Sequence, residues 1–421
     1  MTTFLAKFEH VVIELAIATG LILVSAVAMV ASAPKAGSTT NDMTSPVSAF
    51  FLPSGDGWIV SGNRCSTHLC ITVKRTMNGG RSWSSLPLPL RLRTDASQVG
   101  TYFPLVQQNI FFANARNGWI YGSRPPAGSG AETFTVPNAD IWSTHDGGET
   151  WSALNTKSLG MRFDVLALTS DRGSVYAIGW RSDRTLGLWT SSLTSDAWRR
   201  VTTPTLYAAA GGSNMQGALI FKGANGWLMV GNDRGVTGSA RMSSSGQWVK
   251  WNSPCFNVGD GFSVPVASSA TDLVDVCTIG GFGGNLAPGT PSFLKQQSNW
   301  VFISHNAGVT FVPTTRVVID GTSNGLDQLP TLPASPSPGS ILVARSITQG
   351  QSMTDHLYLT RNDGKTWNSV YASPPSTFFP VIQFMAFASS SFGYAIVQTT
   401  PTTSELIVST NGGLSWHARA T

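Results

Sequence analysis

Ser143-Thr144-His145-Asp146-Gly147-Gly148-Glu149-Thr150-Trp151 is a phrase that this chain repeats, with the core Ser/Thr-x-Asp/Asn-x-Gly-x-Ser/Thr-Trp. The same core runs from Thr76 to Trp83, from Thr360 to Trp367 and from Ser409 to Trp416, and with Phe in place of Trp from Ser304 to Phe311. Two worn copies end at Trp198 and Trp248. The closing aromatics, Trp83, Trp151, Trp198, Trp248, Phe311, Trp367 and Trp416, are 47 to 68 residues apart. A long, fixed self-similarity of this kind marks stacked or circular folds, and the interval fits one four-stranded propeller blade.

A second phrase precedes the copies: a short apolar strand, a polar turn, then Gly and an aromatic opening another strand. It reads Asp56-Gly57-Trp58, Asn117-Gly118-Trp119, Asn225-Gly226-Trp227 and Phe392-Gly393-Tyr394. Looser versions fall before Val175-Tyr176 and near Ile341. Each unit is therefore expected to run strand A, turn, Gly-aromatic strand B, variable loop, strand C, boxed turn, strand D. In the boxed turn an Asp or Asn side chain accepts backbone N–H groups, and Gly supplies a positive φ. The closing Trp plugs a narrow blade with apolar surface. Asn78, Asp146, Asn306, Asn362 and Asn411 thus read as structural rather than catalytic.

These phrases resemble the Asp-box, or BNR, repeat of sialidase-like β-propellers over residues 47–421. The seven copies and the Gly-aromatic phrase make the chain most similar to the photosystem II assembly-factor-like group. That resemblance implies a noncatalytic scaffold whose boxed turns lie on the outer rim, on the face opposite the usual ligand face. The fold expected is all-β, a seven-bladed propeller of four-stranded blades behind one N-terminal hydrophobic helix. Val47 to Leu52 would form the first inner strand and Trp416 to Ala420 the last outer one, without strand exchange at closure. Trp58, Trp119, Trp227 and Tyr394 are the expected packing residues between blades.

Residues 1–35 differ from the rest, since Leu15 to Ala33 is almost purely apolar. Such a run is an export signal or a membrane anchor, followed by a linker over 36–46. Ala31-Ser32-Ala33 suits a signal peptidase, but Pro34 directly after it disfavours cleavage, so a retained anchor is the expectation. An extracytoplasmic, membrane-anchored or secreted location lets cysteine pairs persist as disulfides. Cys65 pairs naturally with Cys70 across a presumed loop, leaving Cys255 to Cys277. A metal site from Cys65, His68 and Cys70 lacks a fourth ligand nearby and any C-x-x-C pair.

Composition narrows function. Charged residues are 12% of the chain and the net charge is +5, too dilute for a nucleic-acid footprint. Glycosidases place two carboxylates about the scissile bond. Beyond the leader the only Glu residues are Glu132, Glu149 and Glu405, and no Arg-Ile-Pro phrase of the sialidase kind occurs. Loop acids Asp183, Asp233, Asp260, Asp320 and Asp327 could supply an Asp pair, although no spacing selects two of them. Gly321-Thr322-Ser323-Asn324-Gly325 matches a nucleophile-elbow pattern without the strand and helix which that motif needs. No cofactor motif is present.

One constellation stands out. Arg64, Arg124, Arg181 and Arg234 each follow a Gly at the expected loop end of strand B, and Arg345 holds a nearby place in the sixth unit. Equivalent positions of successive blades form an arc around the channel, and guanidinium groups bind carboxylates and phosphates bidentately. Arg91, Arg93, Arg162, Arg184 and Arg316, in loops joining blades, could add to the field. The expected ligand is a protein partner with an acidic segment, or an anionic glycan. The competing reading is that these arginines cover strand ends and pair with Asp183 and Asp233. A carbohydrate-active hydrolase, sialidase-like or built on an Asp pair, is the alternative function. The long loops from Ser123 to Asn138 and from Gly283 to Asn299 are where recognition would sit.

Overall fold

The computed structural model describes residues 45–64, 68–89, 94–95, 108–123, 139–155, 161–181, 185–207, 216–232, 235–256, 265–278, 299–314, 333–349, 352–376, 382–400 and 403–421. They form seven antiparallel sheets, each built from consecutive strands, which make a seven-bladed β-propeller. The first blade comprises strands A to D at Ser45–Phe51, Gly57–Arg64, His68–Thr76 and Ser84–Leu86, with the short strand Thr94–Asp95 added beside the start of strand C. The inner strands of the others begin at Gln108, Met161, Gln216, Val266, Ala334 and Ile382. Among the described residues there is no helix. The apolar leader expected as a helix lies outside them.

Two boundaries differ slightly from expectation. The first inner strand starts at Ser45, two residues before Val47, because a register shift between Pro46 and Ser48 lets the chain pass Pro46 and keep pairing. The last outer strand is His417–Arg419, with Trp416 turned into the core.

Five boxed turns share one hydrogen-bond pattern. In the first blade Thr76 Oγ1 accepts from Gly80 N at 3.0 Å and donates to Asn78 Oδ1 at 2.9 Å. Asn78 Oδ1 in turn accepts from the N–H groups of Arg81 and Ser82, both at 3.0 Å. The Asn side chain also donates to the Ser/Thr hydroxyl at Ser82, Thr310, Thr366 and Ser415. The Gly whose N–H meets the first hydroxyl has φ of +81° at Gly80 and +103° at Gly148, a region that side chains resist. The preceding position is also left-handed, and there the fifth and sixth blades carry Ala307 and Asp363 at φ 59° and 56°. That position also ties the boxed turn to the A–B turn of its own blade: Gly79 N donates to Gly55 O, Gly147 N to Arg116 O and Gly412 N to Ser391 O. Both sets of turns therefore occupy one face of the ring. The B–C loops and the connections between blades occupy the other.

The Gly of the Gly-aromatic phrase makes room for a ring. A Cβ on Gly57 would lie 2.3 Å from Phe51, and one on Gly118 would lie 2.4 Å from Phe112. Gly226 faces Phe221 and Gly393 faces Phe387 in the same way. Each of these Phe residues lies at or next to the end of strand A and meets the boxed Trp of its own blade edge-on, as Phe112 meets Trp151 at 6.3 Å and 82°.

Seven apolar clusters fill the seven spaces between neighbouring blades. Trp58, Trp119, Trp227 and Tyr394 are buried in four of them, as expected from sequence. The ring closes where Ala49, Phe51 and Ile59 pack on Tyr394, Ile396, Leu406 and Val408. Ser404 Oγ donates to Pro46 O across the same seam.

Candidate binding face

The two faces of the ring use their polar groups differently. On the turn face, charge is spent holding the blades. The Arg75 guanidinium reaches Asp56 at 3.2 Å and lies 5.1 Å from the centre of the Trp58 ring. His145 spans two blades, with Nδ1 2.8 Å from Asn117 Oδ1 and Nε2 3.6 Å from Asp196. His305 repeats this between Asp272 at 2.6 Å and Asp363 at 3.5 Å. Partial burial pushes the Asp146 carboxyl up. Hydrogen bonds from the Thr150 side chain and N–H, Thr144 and Gly148 outweigh it and hold the group at about 2. Asp272 is lowered in the same sense, its burial offset by Ser269, His305 and Thr271.

Indole N–H groups tie one blade to the next. Trp58 Nε1 donates to Gly147 O at 2.9 Å, and Trp227 Nε1 donates to Ala307 O at 3.1 Å. Each acceptor lies in the boxed turn of the following blade. Trp119 faces the third blade, whose turn is worn, and its buried Nε1 has no acceptor among the described residues. Trp251, three residues beyond the worn box that ends at Trp248 and outside the repeat phrase, donates to Gly308 O at 2.7 Å.

Two of the four arginines singled out from sequence fall within the described residues, at the loop ends of their strands. Arg64 ends strand B of the first blade, paired with Leu69. Arg181 ends strand B of the third blade, opposite Met161, and its Nη1 donates to Thr185 Oγ1 at 3.3 Å. Arg124 and Arg234 lie outside the described residues, as do Arg91, Arg93, Arg184 and Arg316; Arg162 is described only as strand backbone. Arg345 departs from expectation. Gly57 pairs with Thr76 and Ile341 with Thr360, so Arg345 takes the place of Ser61, in mid-strand, three residues before the place of Arg64.

Cys255 and Cys277 form a disulfide with a Cα–Cα distance of 5.1 Å, fastening the connection after the fourth blade to strand B of the fifth. Cys70 lies inside strand C, paired with Asn63, rather than beside a loop, because the strand begins already at His68. Its proposed partner Cys65 is outside the described residues. Among the described residues no group of three His, Cys, Asp or Glu is placed to hold a metal.

The loop acids Asp183, Asp233, Asp260, Asp320 and Asp327, together with Glu132 and the Gly321–Gly325 segment, are outside the described residues. Glu405 lies within strand C of the seventh blade, Thr403–Ser409, and is exposed. Asp355, fully buried in strand C of the sixth blade, accepts from Ile382 N at 2.7 Å and so fixes the start of the next inner strand. Burial first, then the Glu405 and Asp355 carboxylates, push the Tyr371 hydroxyl up to about 12. The exposed Tyr207 bridges Thr185 at the same end of the third blade. Neither Asp355 nor Tyr207 carries a repeat signal, since both act through a neighbouring segment.

Seven four-stranded blades around one ring define a β-propeller. By sequence, no protein-family model matches the chain and no curated protein matches it. Among solved structures it is similar to a PL25 ulvan lyase, determined bound to -[GlcA(1-4)Rha3S]-, at TM-score 0.55 and 9% identity over 89% of this chain and 96% of that one. It is similar to a prolyl endopeptidase at TM-score 0.50 and 9% identity, over 89% of this chain and 49% of that one. YCF48 bound to a D1 peptide matches at TM-score 0.48 and 16% identity, over 87% and 93%. At these identities the likeness extends to the fold alone.

Proposed function

We propose that the chain is a noncatalytic, extracytoplasmic binding or assembly scaffold of the Asp-box propeller type, which recognises an acidic partner segment through its loop face. The observation that carries this reading is the backbone placement of two arginines: Arg64 and Arg181 each end strand B of their blades at the loop face. Arg124 and Arg234 extend the same pattern in sequence. The disulfide and the apolar leader support a location outside the reducing cytoplasm.

The test is titration of a synthetic Glu/Asp-rich peptide against the protein and against the double variant Arg64→Glu, Arg181→Glu. Removing two charge-assisted hydrogen-bonding groups should weaken binding by about 10-fold or more, with unchanged thermal unfolding. Equal affinity would sink the reading. Release of new chain ends from an anionic polysaccharide by the unmodified protein would instead favour the carbohydrate-active alternative.

A further inference from the structure

The second position of the boxed turn reaches forward to the next blade. In the sixth blade it is Arg361, whose Nη2 donates to Asn411 O of the seventh at 3.4 Å. The second and fifth blades place His145 and His305 there instead. Each imidazole lies between an acceptor in the A–B turn of its own blade and a carboxylate in the boxed turn of the next. Arginine is charged at every working pH, whereas an imidazole takes up its proton between about pH 5 and 8.

Hydrogen-bond chemistry fixes which nitrogen of the neutral ring carries the hydrogen. An ionised carboxylate only accepts, so His305 Nδ1, 2.6 Å from Asp272 Oδ1, is the N–H. Nε2 is then bare, and it faces Asp363 Oδ1 at 3.5 Å, a buried oxygen with no hydrogen-bond partner among the described residues. In the second blade Asn117 Nδ2 donates to Asn114 Oδ1 at 3.1 Å, which leaves Asn117 Oδ1 to accept from His145 Nδ1. His145 Nε2 is therefore also bare in the neutral ring, 3.6 Å from Asp196 Oδ2. One proton on each ring turns a lone pair opposite a carboxylate into a charge-assisted donor across the seam.

The remaining charged groups on the packed elements are engaged or exposed. Around His305, Arg361 is turned to the seventh blade, and Lys222 and Lys365 are exposed. Around His145, Arg75 pairs with Asp56, Asp171 with Arg172, and Asp146 is bonded to Thr150 within its own turn, while Arg116 and Glu149 are exposed.

We propose that His145 and His305 are proton-operated clasps, which fasten the second blade to the third and the fifth to the sixth in mild acid and release them as the pH rises past neutral. The acid side of the window is held open by Asp272. Burial works against its charge, but hydrogen bonds from Ser269, His305 and Thr271 and the charge of His305 more than offset this and keep it ionised below the usual carboxylate range. The clasp is thus complete where carboxylates are ionised and imidazoles protonated, and it is lost as the imidazoles give up their protons.

Thermal unfolding of the full chain at about pH 5.5 and pH 8 tests this, because comparison with variants cancels every other titrating group. Between the two pH values the unmodified protein should lose about 2 °C more than His305→Gln does. His145→Gln should behave in the same way. His305→Arg, charged at both pH values, should lose no more than His305→Gln. Asp363→Asn suits the left-handed φ of 56° and offers an amide N–H to the bare Nε2, so it too should lose the extra pH dependence. A midpoint lowered equally at both pH values by His305→Gln and His145→Gln would make the histidines plain structural ties and overturn the proposal. So would an unmodified protein that gains on the Gln variants as the pH rises. If a Gln variant does not fold, Asp363→Asn decides, and pH dependence as large as that of the unmodified protein overturns the proposal.

Discussion

At the scale of single residues, the boxed turn shows why Asp and Asn interchange. Both present an Oδ1 to the same N–H groups, but Asn adds a donor to the nearby hydroxyl, while Asp146 instead accepts from Thr150. The Asp146 carboxyl is depressed in the fold to about 2, against roughly 3.9 in an unfolded chain. Its contribution is therefore fully present above about pH 4 and is lost as pH falls toward 2. Asp146→Asn should leave stability at pH 7 nearly unchanged and flatten the acid limb of urea midpoints measured between pH 2 and 6. A steeper limb in the variant would contradict this account. Gly118 obeys a different constraint. The Phe112 ring that a Cβ would strike is itself stacked on Trp58 at 3.6 Å, so it has nowhere to move. Gly118→Ala should cost about 1–3 kcal/mol by overpacking, read from chemical denaturation. The boxed residues were legible in the sequence because their partners lie within a few positions along the chain. The reason for the Gly before each aromatic was not, because Phe112 meets Gly118 only across a strand pair.

At the scale of elements, each blade is a local product and each seam is not. Strands A to D of each blade follow one another in sequence order, so repeat spacing alone located them. The inter-blade tie from a strand B indole to the next boxed turn has no sequence signature, since Trp58 and Gly147 are 89 residues apart. This predicts an asymmetry between residues that look alike. Trp58→Phe strands the buried Gly147 carbonyl and should cost about 1–3 kcal/mol beyond the loss of ring area. Trp119→Phe removes an N–H that has no acceptor among the described residues and should cost less. Thermal unfolding of the two variants side by side checks the order, and a larger loss for Trp119→Phe would refute it. Register also corrects the sequence alignment of arginines, because it sets Arg345 level with Ser61, three residues short of the place of Arg64.

At the scale of the whole molecule, the seven clusters form a closed series in which every blade has two neighbours, so a seam that opens has no other surface to pack against. The Cys255–Cys277 bridge fastens one connection within that ring, closing a separation of 22 residues. A loop of that length corresponds to about 3 kcal/mol in the chain-entropy account. Cys255→Ser with Cys277→Ser should lower the denaturation midpoint accordingly, and the unmodified protein should show the same loss under reductant. Unchanged midpoints in both would show the bridge to be energetically idle.

The repeat phrase, its spacing and its turn chemistry determined by themselves that this chain is an all-β ring of seven four-stranded blades, because each blade is encoded in residues close together along the chain. Tertiary structure alone decided which face is knit by its own charge, that Asp355 serves the next blade, and that Arg345 leaves the strand end. Those facts depend on pairings between residues far apart in sequence, where packing across seams and strand register, rather than local propensity, set the outcome.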